Sequence, residues 1–468
     1  MIKFGTGGWR AVIGEDFTQK NVRRVAAGIL ELMKDEGKTD KPVIIGWDRR
    51  FLSESAAKWV AEVLAAGGVH VWFMNRSAPT PLVMHTVMAE KLYFGVEITA
   101  SHNPSAYNGI KLIVEEGRDA PLETTGKLEK FIEDVQVEFL PFDKAVETGL
   151  VEYLVNPFNK FLDDIIGLLD MQALRNRGLR VLFDSMHGSG AYPLQVIFYT
   201  ARCTIDMMNA NKDAYFGGMM PAPSKASLSA LQDNVIKGGY DLGIAMDGDG
   251  DRLGIIDSNG RYIDANEILC MLYYYLVKYK GWKGPVVRNL ATTHMLDRVA
   301  ESFGEKCYEV PVGFKYISSK IDETDAVLGG ESSGGLTVRG HIHGKDSIYA
   351  ASLFVEMVCV TGKSPSQLMD ELEAQFGHYE LVEDNLHFAP EVKSVIEKIV
   401  MEEKKLPDFG REIVRVNYED GCKVYFDDDS FVICRFSGTE PLLRIFAEAG
   451  NAEQASGYIT AYREFLNL

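Results

Sequence analysis

Pro42-Val-Ile-Ile-Gly-Trp-Asp48 is a short apolar run, rich in β-branched residues and closed by a carboxylate. A polar turn follows it, then a helical pattern over Ser53–Ala66 and a second apolar run at Val69–Met74. The same order recurs twice. Leu179-Arg-Val-Leu-Phe-Asp184 leads to a helix near Gly190–Thr200 and a run at Cys203–Met207. Pro285-Val-Val-Arg-Asn289 leads to a helix near Thr292–Phe303 and a run at Lys306–Val310. Short buried strands alternating with helices of roughly 10–15 residues read as βαβ units. Three copies predict three related α/β domains.

The last stretch reads differently. Ile413–Tyr418, Cys422–Phe426, Phe431–Phe436 and Leu442–Glu448 look like strands separated by polar turns, with a helix over Ala452–Leu466. This predicts a small α+β domain on an antiparallel sheet. The expected division is 1–150, 151–257, 258–375 and 376–468, in a chain of 468 residues. At roughly 150 residues per domain, that length allows two to four domains.

Hydrophobic residues at 46% and charged residues at 25% exclude a disordered or collagen-like chain. The net charge of -18 argues against a general binder of nucleic acid or anionic membranes, which carry a basic footprint. A small anionic substrate remains compatible, because a local cluster of Arg and Lys can sit inside an acidic protein. Six scattered cysteines without a C-x-x-C spacing predict reduced thiols. The first ten residues lack the apolar core of a secretion signal, and no run of about 18 apolar residues is present. A cytoplasmic location and no membrane partner are therefore expected.

Four segments could carry chemistry. Thr99-Ala-Ser-His-Asn-Pro104 follows the apolar run Tyr93–Ile98 and precedes Tyr107-Asn-Gly-Ile-Lys111. A Ser at a strand mouth, with His102 beside it and Lys111 ten residues on, suits an activated hydroxyl; the plainer reading is a turn. Asp247-Gly-Asp-Gly-Asp-Arg252 sets three carboxylates at alternate positions, separated by glycines, which can fold back around one hard cation such as Mg²⁺ or Ca²⁺; the plainer reading is a structural turn. An EF-hand is excluded, because Arg252 and Ser258 stand where that loop needs Gly and Glu.

Gly329-Gly-Glu-Ser-Ser-Gly-Gly335 contains the G-x-S-x-G spacing of a serine-hydrolase elbow, but the elbow must enter a helix and Leu336-Thr-Val338 reads as extended. A polar loop offering Glu331 and Ser333 to hydroxyls fits better, with a plain Gly-rich loop as the alternative. Arg435-Phe-Ser-Gly-Thr-Glu-Pro441 joins two strands and combines Arg, hydroxyls and Gly amides, the makings of an anion cradle or of a simple hairpin. Gly37-Lys-Thr39 and Gly362-Lys-Ser364 lack the upstream glycine of a P-loop.

In this order, the four segments resemble those of the α-D-phosphohexomutase family, the phosphoglucomutases and phosphomannomutases. The resemblance runs from Phe4-Gly-Thr to Arg444. It implies three related α/β domains with mixed sheets plus a C-terminal α+β domain, arranged around a central cleft. It implies that Ser101 is the phosphoserine, and that Asp247, Asp249 and Asp251 bind Mg²⁺ together with a Ser101 oxygen. Arg10, His102, Lys111 and Arg252 would surround the transferring group, with Lys111 a general acid/base candidate. Glu331 and Ser333 would hold sugar hydroxyls, and Arg435, Ser437, Gly438 and Thr439 the non-reacting phosphate.

The reaction implied is the interconversion of glucose 1-phosphate and glucose 6-phosphate by a monomer or homodimer, with glucose 1,6-bisphosphate as intermediate and activator. Glu331-Ser-Ser-Gly334 and Val312-Gly-Phe-Lys-Tyr316 look most like the glucomutase branch. The alternative is the same mechanism on mannose or glucosamine phosphates. Readings of another class are a serine hydrolase using Ser332, an aspartyl phosphatase using Asp247, and a non-catalytic sugar-phosphate sensor.

Overall fold

A computed structural model describes residues 2–5, 7–436 and 442–468 of the chain. Among the described residues the strands form four sheets. The first contains β1 (Trp9–Val12), β2 (Val43–Trp47), β3 (Val71–Phe73), β4 (Phe94–Ile98), β5 (Tyr107–Val114), β6 (Arg118–Asp119) and β7 (Val151–Tyr153). Their order is β1-β5-β4-β2-β3-β7, with β6 paired to β5. The second contains β8 (Arg180–Asp184), β9 (Thr204–Met208), β10 (Leu242–Met246), β11 (Leu253–Asp257) and β12 (Tyr262–Ile263), in the order β12-β11-β10-β8-β9. The third contains β13 (Val286–Asn289), β14 (Cys307–Val310), β15 (Leu328–Gly330) and β16 (Leu336–Val338), in the order β14-β13-β15-β16.

The repeat in the sequence is a repeat in pairing. The leading strands β2, β8 and β13 each lie between two parallel neighbours: β3 and β4, β9 and β10, β14 and β15. In each copy the third strand then turns back into an antiparallel partner: β4 into β5, β10 into β11, β15 into β16. The three sheets are therefore mixed. Strands β2, β4, β10 and β11 are buried along their whole length, as strands sandwiched between helical layers must be; this explains the unbroken apolar runs of β2 and β10, while β4 carries a buried Glu97 and β11 ends on a buried Asp257. The helix expected at Ser53–Ala66 is found at those residues. The first two sheets run a few residues past the divisions expected at 150 and 257, because β7 pairs with β3 and β12 with β11.

The fourth sheet is antiparallel: β17 (Glu380–His387), β18 (Ile413–Asn417), β19 (Cys422–Phe426), β20 (Phe431–Phe436) and β21 (Leu442–Ala449), in the order β17-β21-β20-β19-β18. Strand alternation divides its faces. Cys422, Val424, Val432, Cys434, Ile445 and Ala447 share a core with the Tyr458, Ile459 and Tyr462 face of the helix Ala452–Leu466. On the opposite face, Phe431 and Ile433 pack on Leu290 and Ala291 of the third domain. Charge is buried in the same seam. Lys423 Nζ donates to Glu309 Oε2 at 2.7 Å, Arg288 donates to the same oxygen at 2.7 Å, and the His294 amide donates to Glu448 at 2.8 Å. Burial, with Arg288 nearby, pulls the Lys423 ammonium down to about 7. No helix among the described residues is long and apolar enough to cross a membrane.

Candidate active site

The connections β4–β5, β10–β11 and β15–β16 occupy one topological position in the three copies. They carry Ser101, the Asp triplet and Glu331–Gly335 respectively.

Ser101 is fully buried, with a left-handed backbone (φ 51°). Its amide donates to Thr99 Oγ1 at 2.8 Å, its Oγ donates to Asp247 Oδ2 at 2.8 Å, and His102 Nδ1 lies 3.2 Å from that Oγ. The two loops meet through a glycine. A Cβ on Gly248 would come within 2.8 Å of the Ser101 carbonyl, so only glycine admits this approach.

Asp247, Asp249 and Asp251 are fully buried, and one oxygen from each lies within 4.8 Å of the others. Asp247 Oδ1 accepts the amides of Asp251 and Arg252 at 2.9 and 3.1 Å. Asp249 Oδ2 accepts from Thr80 Oγ1 at 2.6 Å and Lys111 Nζ at 2.7 Å. Asp251 Oδ2 takes Lys111 Nζ at 2.8 Å and Lys345 Nζ at 2.9 Å. Asp249 Oδ1 and Asp251 Oδ1 are buried with no hydrogen-bond partner. An orphaned carboxylate oxygen in a dry site is costly, and two such atoms beside a third carboxylate form an oxygen donor set suited to a hard divalent cation. The residues present therefore fit the expected metal. Burial and the two neighbouring carboxylates push Asp247 well above the usual carboxylate range, while Lys111, Lys345 and Arg252 outweigh burial and hold Asp251 well below it.

The surrounding cations are unequal. Burial opposes the Lys111 charge, but Asp249 and Asp251 win and raise it. Burial, with Arg252 and Arg10, pushes His102 down to about 2, so its imidazole is neutral near pH 7 and resists protonation. Arg10 NH1 donates to Asn103 Oδ1 at 2.7 Å, on the Ser101 connection. Arg252 leads out of the Asp triplet and carries a buried Nε without a partner.

The β15–β16 connection touches the second domain, where the Leu253 amide donates to the Gly334 carbonyl at 3.2 Å. Ser333 Oγ donates to Glu331 Oε2 at 3.2 Å, and Glu331 Oε1 accepts the Gly313 amide at 3.2 Å. Ser332 is followed by strand β16 rather than a helix, which removes the hydrolase elbow. In the fourth domain, Arg435 forms a two-point pair with Asp420, at 3.0 and 3.1 Å. Ser437, Gly438 and Thr439 lie outside the described residues.

Sequence reading missed four contributors. Thr80 begins a helix and carried no signal. Lys345 reaches Asp251 from the third domain, a contact no local spacing announces. Asp48 accepts from Ser53 Oγ and Thr99 Oγ1, both at 2.7 Å. Arg50 lies beneath the Ser101 connection; a charged residue just after an apolar strand was its only signal.

The four domains and the buried acidic cluster define an α-D-phosphohexomutase, an isomerase that moves a phosphoryl group. The phosphoglucomutase/phosphomannomutase models match in all four parts: alpha/beta/alpha domain I over residues 1–138, domain II over 159–260, domain III over 264–376 and the C-terminal domain over 389–464. The chain belongs to the phosphoglucomutase/phosphomannomutase family. It is 29% identical to a phosphoglucomutase/phosphomannomutase of Thermococcus kodakarensis, covering 97% of this chain and 96% of that one. It is 30% identical to a probable phosphoglucosamine mutase of Methanosphaera stadtmanae, covering 99% and 98%. Among solved structures, a Thermus thermophilus protein assigned as a phosphomannomutase superposes with a TM-score of 0.86 at 27% identity, covering 100% of this chain and 99% of that one.

Proposed function

We propose that this isomerase relays a phosphoryl group through Ser101, and that its substrate is a glucosamine or mannose phosphate rather than a glucose phosphate. The observation that carries the relay is the Ser101 hydroxyl, 2.8 Å from Asp247 in a cluster with two unpartnered carboxylate oxygens. The sugar assignment follows the names of the relatives, which favour the phosphoglucosamine and phosphomannose alternative over the glucose reading of the sequence.

Mg²⁺ would be held by Asp247, Asp249 and Asp251 with a Ser101 oxygen, where it supplies charge neutralisation at the phosphoryl group. Phosphoryl transfer needs positioning and offset charge more than covalent chemistry. Arg10 and Arg252 offer guanidinium N–H groups to phosphoryl oxygens. Lys111 and Lys345 balance the carboxylates, and Asp247 Oδ2 accepts a hydrogen bond from the Ser101 hydroxyl when Oγ is unphosphorylated, with neutral His102 Nδ1 3.2 Å from that Oγ. The cycle forms an O–P bond to a free sugar hydroxyl while the Ser101 O–P bond breaks. The bisphosphate turns over and returns its other phosphoryl group to Ser101. Glu331 and Ser333 hold paired hydroxyls in both orientations, and Arg435 anchors the phosphate that is not reacting.

Glucose and mannose differ only at the C2 hydroxyl, and glucosamine carries nitrogen there. A site discriminates strongly only where a buried polar group faces that position. A panel of glucose, mannose and glucosamine 1-phosphates, each with a trace of its bisphosphate, tests the assignment. The glucosamine or mannose ester is expected to give the highest kcat/KM. A panel led by glucose 1-phosphate overturns the sugar assignment and leaves the relay standing. No turnover on any member, with binding retained, supports a sensor instead.

A charge-assisted contact to phosphate is worth roughly 1.5–3 kcal/mol. Arg435→Ala is therefore expected to raise KM for the sugar phosphate by about tenfold or more, since each 1.4 kcal/mol is a factor of ten. Ser101 in that variant should still accept phosphate from the bisphosphate. Unchanged KM and turnover remove Arg435 from the site.

A further inference from the structure

We infer that Arg50 is a positioning residue for the phosphoryl relay: its guanidinium holds the Ser101 connection in the backbone shape that aims Oγ at Asp247. The inference rests on the reading of Ser101 proposed above.

Arg50 is 2% exposed and sits directly after β2, beneath the β4–β5 connection. Its NH2 donates to the carbonyls of Ser101 and Asn103, both at 2.6 Å. Its NH1 donates to the carbonyls of Pro104 and Tyr107, at 2.9 and 3.1 Å. Nε lies 3.2 Å from Asp48 Oδ2, an ion pair between two buried groups. A guanidinium has five N–H donors; four grip one connection, and the fifth, Nε, is buried beside its counter-ion with no hydrogen-bond partner. Both terminal nitrogens, the pair that would fork onto a phosphate, are committed to backbone carbonyls. Arg10 and Arg252 keep donors for that purpose; Arg50 acts only through the backbone it holds.

That backbone needs holding. Ser101 has φ 51°, a conformation an L-residue adopts at a cost and keeps only where its surroundings impose it. Asp48 links the parts, because Oδ1 accepts the Arg50 amide at 2.9 Å and Oδ2 accepts Thr99 Oγ1 at 2.7 Å, and Thr99 Oγ1 accepts the Ser101 amide in turn. The Ser101 carbonyl gripped by Arg50 is also the atom against which Gly248 packs. The same guanidinium therefore sets how the hydroxyl loop stands against the acidic loop of the second domain. Phe216, from that second domain, covers it with its ring centroid 4.8 Å from the guanidinium carbon. A lysine would keep the charge but has one nitrogen and cannot fork across four carbonyls.

The test uses the full-length protein with Mg²⁺ and the bisphosphate, and compares wild type with Arg50→Lys and Phe216→Leu. Thermal unfolding gives the folded fraction, steady-state kinetics give kcat and KM, and labelled bisphosphate gives the rate of phosphorylation on a residue identified by mass. For folded Arg50→Lys, kcat is expected to fall about a hundredfold, with KM within about threefold of wild type and Ser101 labelling slowed in proportion. Phe216→Leu, which keeps the guanidinium but uncovers it, is expected to lose about fivefold in kcat at unchanged KM, and this variant carries the test if Arg50→Lys does not fold. A merely structural Arg50 would lower the unfolding temperature and leave kcat per folded molecule alone. The inference is overturned if folded Arg50→Lys turns over within threefold of wild type, or, where that variant does not fold, if Phe216→Leu keeps full kcat. Labelling of wild type at a residue other than Ser101 would instead overturn the underlying relay, whatever the variants do.

Discussion

Ser101→Ala is expected to lower turnover by at least about a thousandfold, because the relay loses the atom that carries the phosphoryl group between the two halves of the cycle. The substitution removes one buried hydroxyl and its hydrogen bond to Asp247. A methyl group fits the same space, so the fold should survive and sugar phosphate should still bind. Intact mass of active wild type should show one phosphate, located at Ser101 by fragmentation, and the alanine variant should show none. Near-normal turnover in Ser101→Ala would sink the assignment and turn attention to Asp247 as the nucleophile of a phosphatase.

The second large effect is expected at the acidic cluster. Chelation should abolish activity and Mg²⁺ should restore it. Asp249→Asn removes a charge from an oxygen set that balances Lys111, and activity should fall about a thousandfold even at saturating Mg²⁺. The sign of the pH dependence follows from Asp247. Burial and the two neighbouring carboxylates raise it, so without a cation it holds its proton to a higher pH than an ordinary carboxyl group. Cation binding draws that proton off, and affinity for Mg²⁺ should therefore rise with pH. Calorimetry in two buffers of different ionisation enthalpy would detect the proton. An Asp249→Asn protein that turns over normally after exhaustive chelation would remove the metal from the site.

Much of this architecture was legible in the residues. The three βαβ units could be read because their leading strands β2, β8 and β13 are largely buried and rich in apolar residues, although β9 and β14 are part exposed and carry Asp206 and Glu309. The last domain was legible except for β17. Glu380-Leu-Val-Glu-Asp-Asn-Leu-His387 carries three acids in eight residues, as an edge strand facing water can, and it gives no apolar signal. Ser101, Lys111 and the Asp triplet were found because each lies within a short segment whose spacing has a chemical reason. Lys345, Thr80 and Arg50 were not, because their role exists only where separate strands bring distant residues onto one connection. The sugar was not legible for a different reason. Glu331 and Ser333, the pair proposed to hold sugar hydroxyls, would address groups that the candidate sugars share.

The three equivalent strand-to-strand connections have a consequence for descent. If one strand–helix–strand gene was copied twice, each copy arrived with a connection at the same topological position, and each could then change without the other two. The first carries a hydroxyl, the second an acidic triplet and the third a polar loop with Glu331 and Ser333, each hanging from its own sheet. Novelty in such a chain is cheap where it is peripheral to the reaction. Drift at positions that would face the part of the sugar that varies can retune which sugar is accepted while the hydroxyl and the acids, anchored elsewhere, are kept. Relatives at about 30% identity over nearly the whole chain can therefore carry different sugar names and still share one inherited machine for moving phosphate.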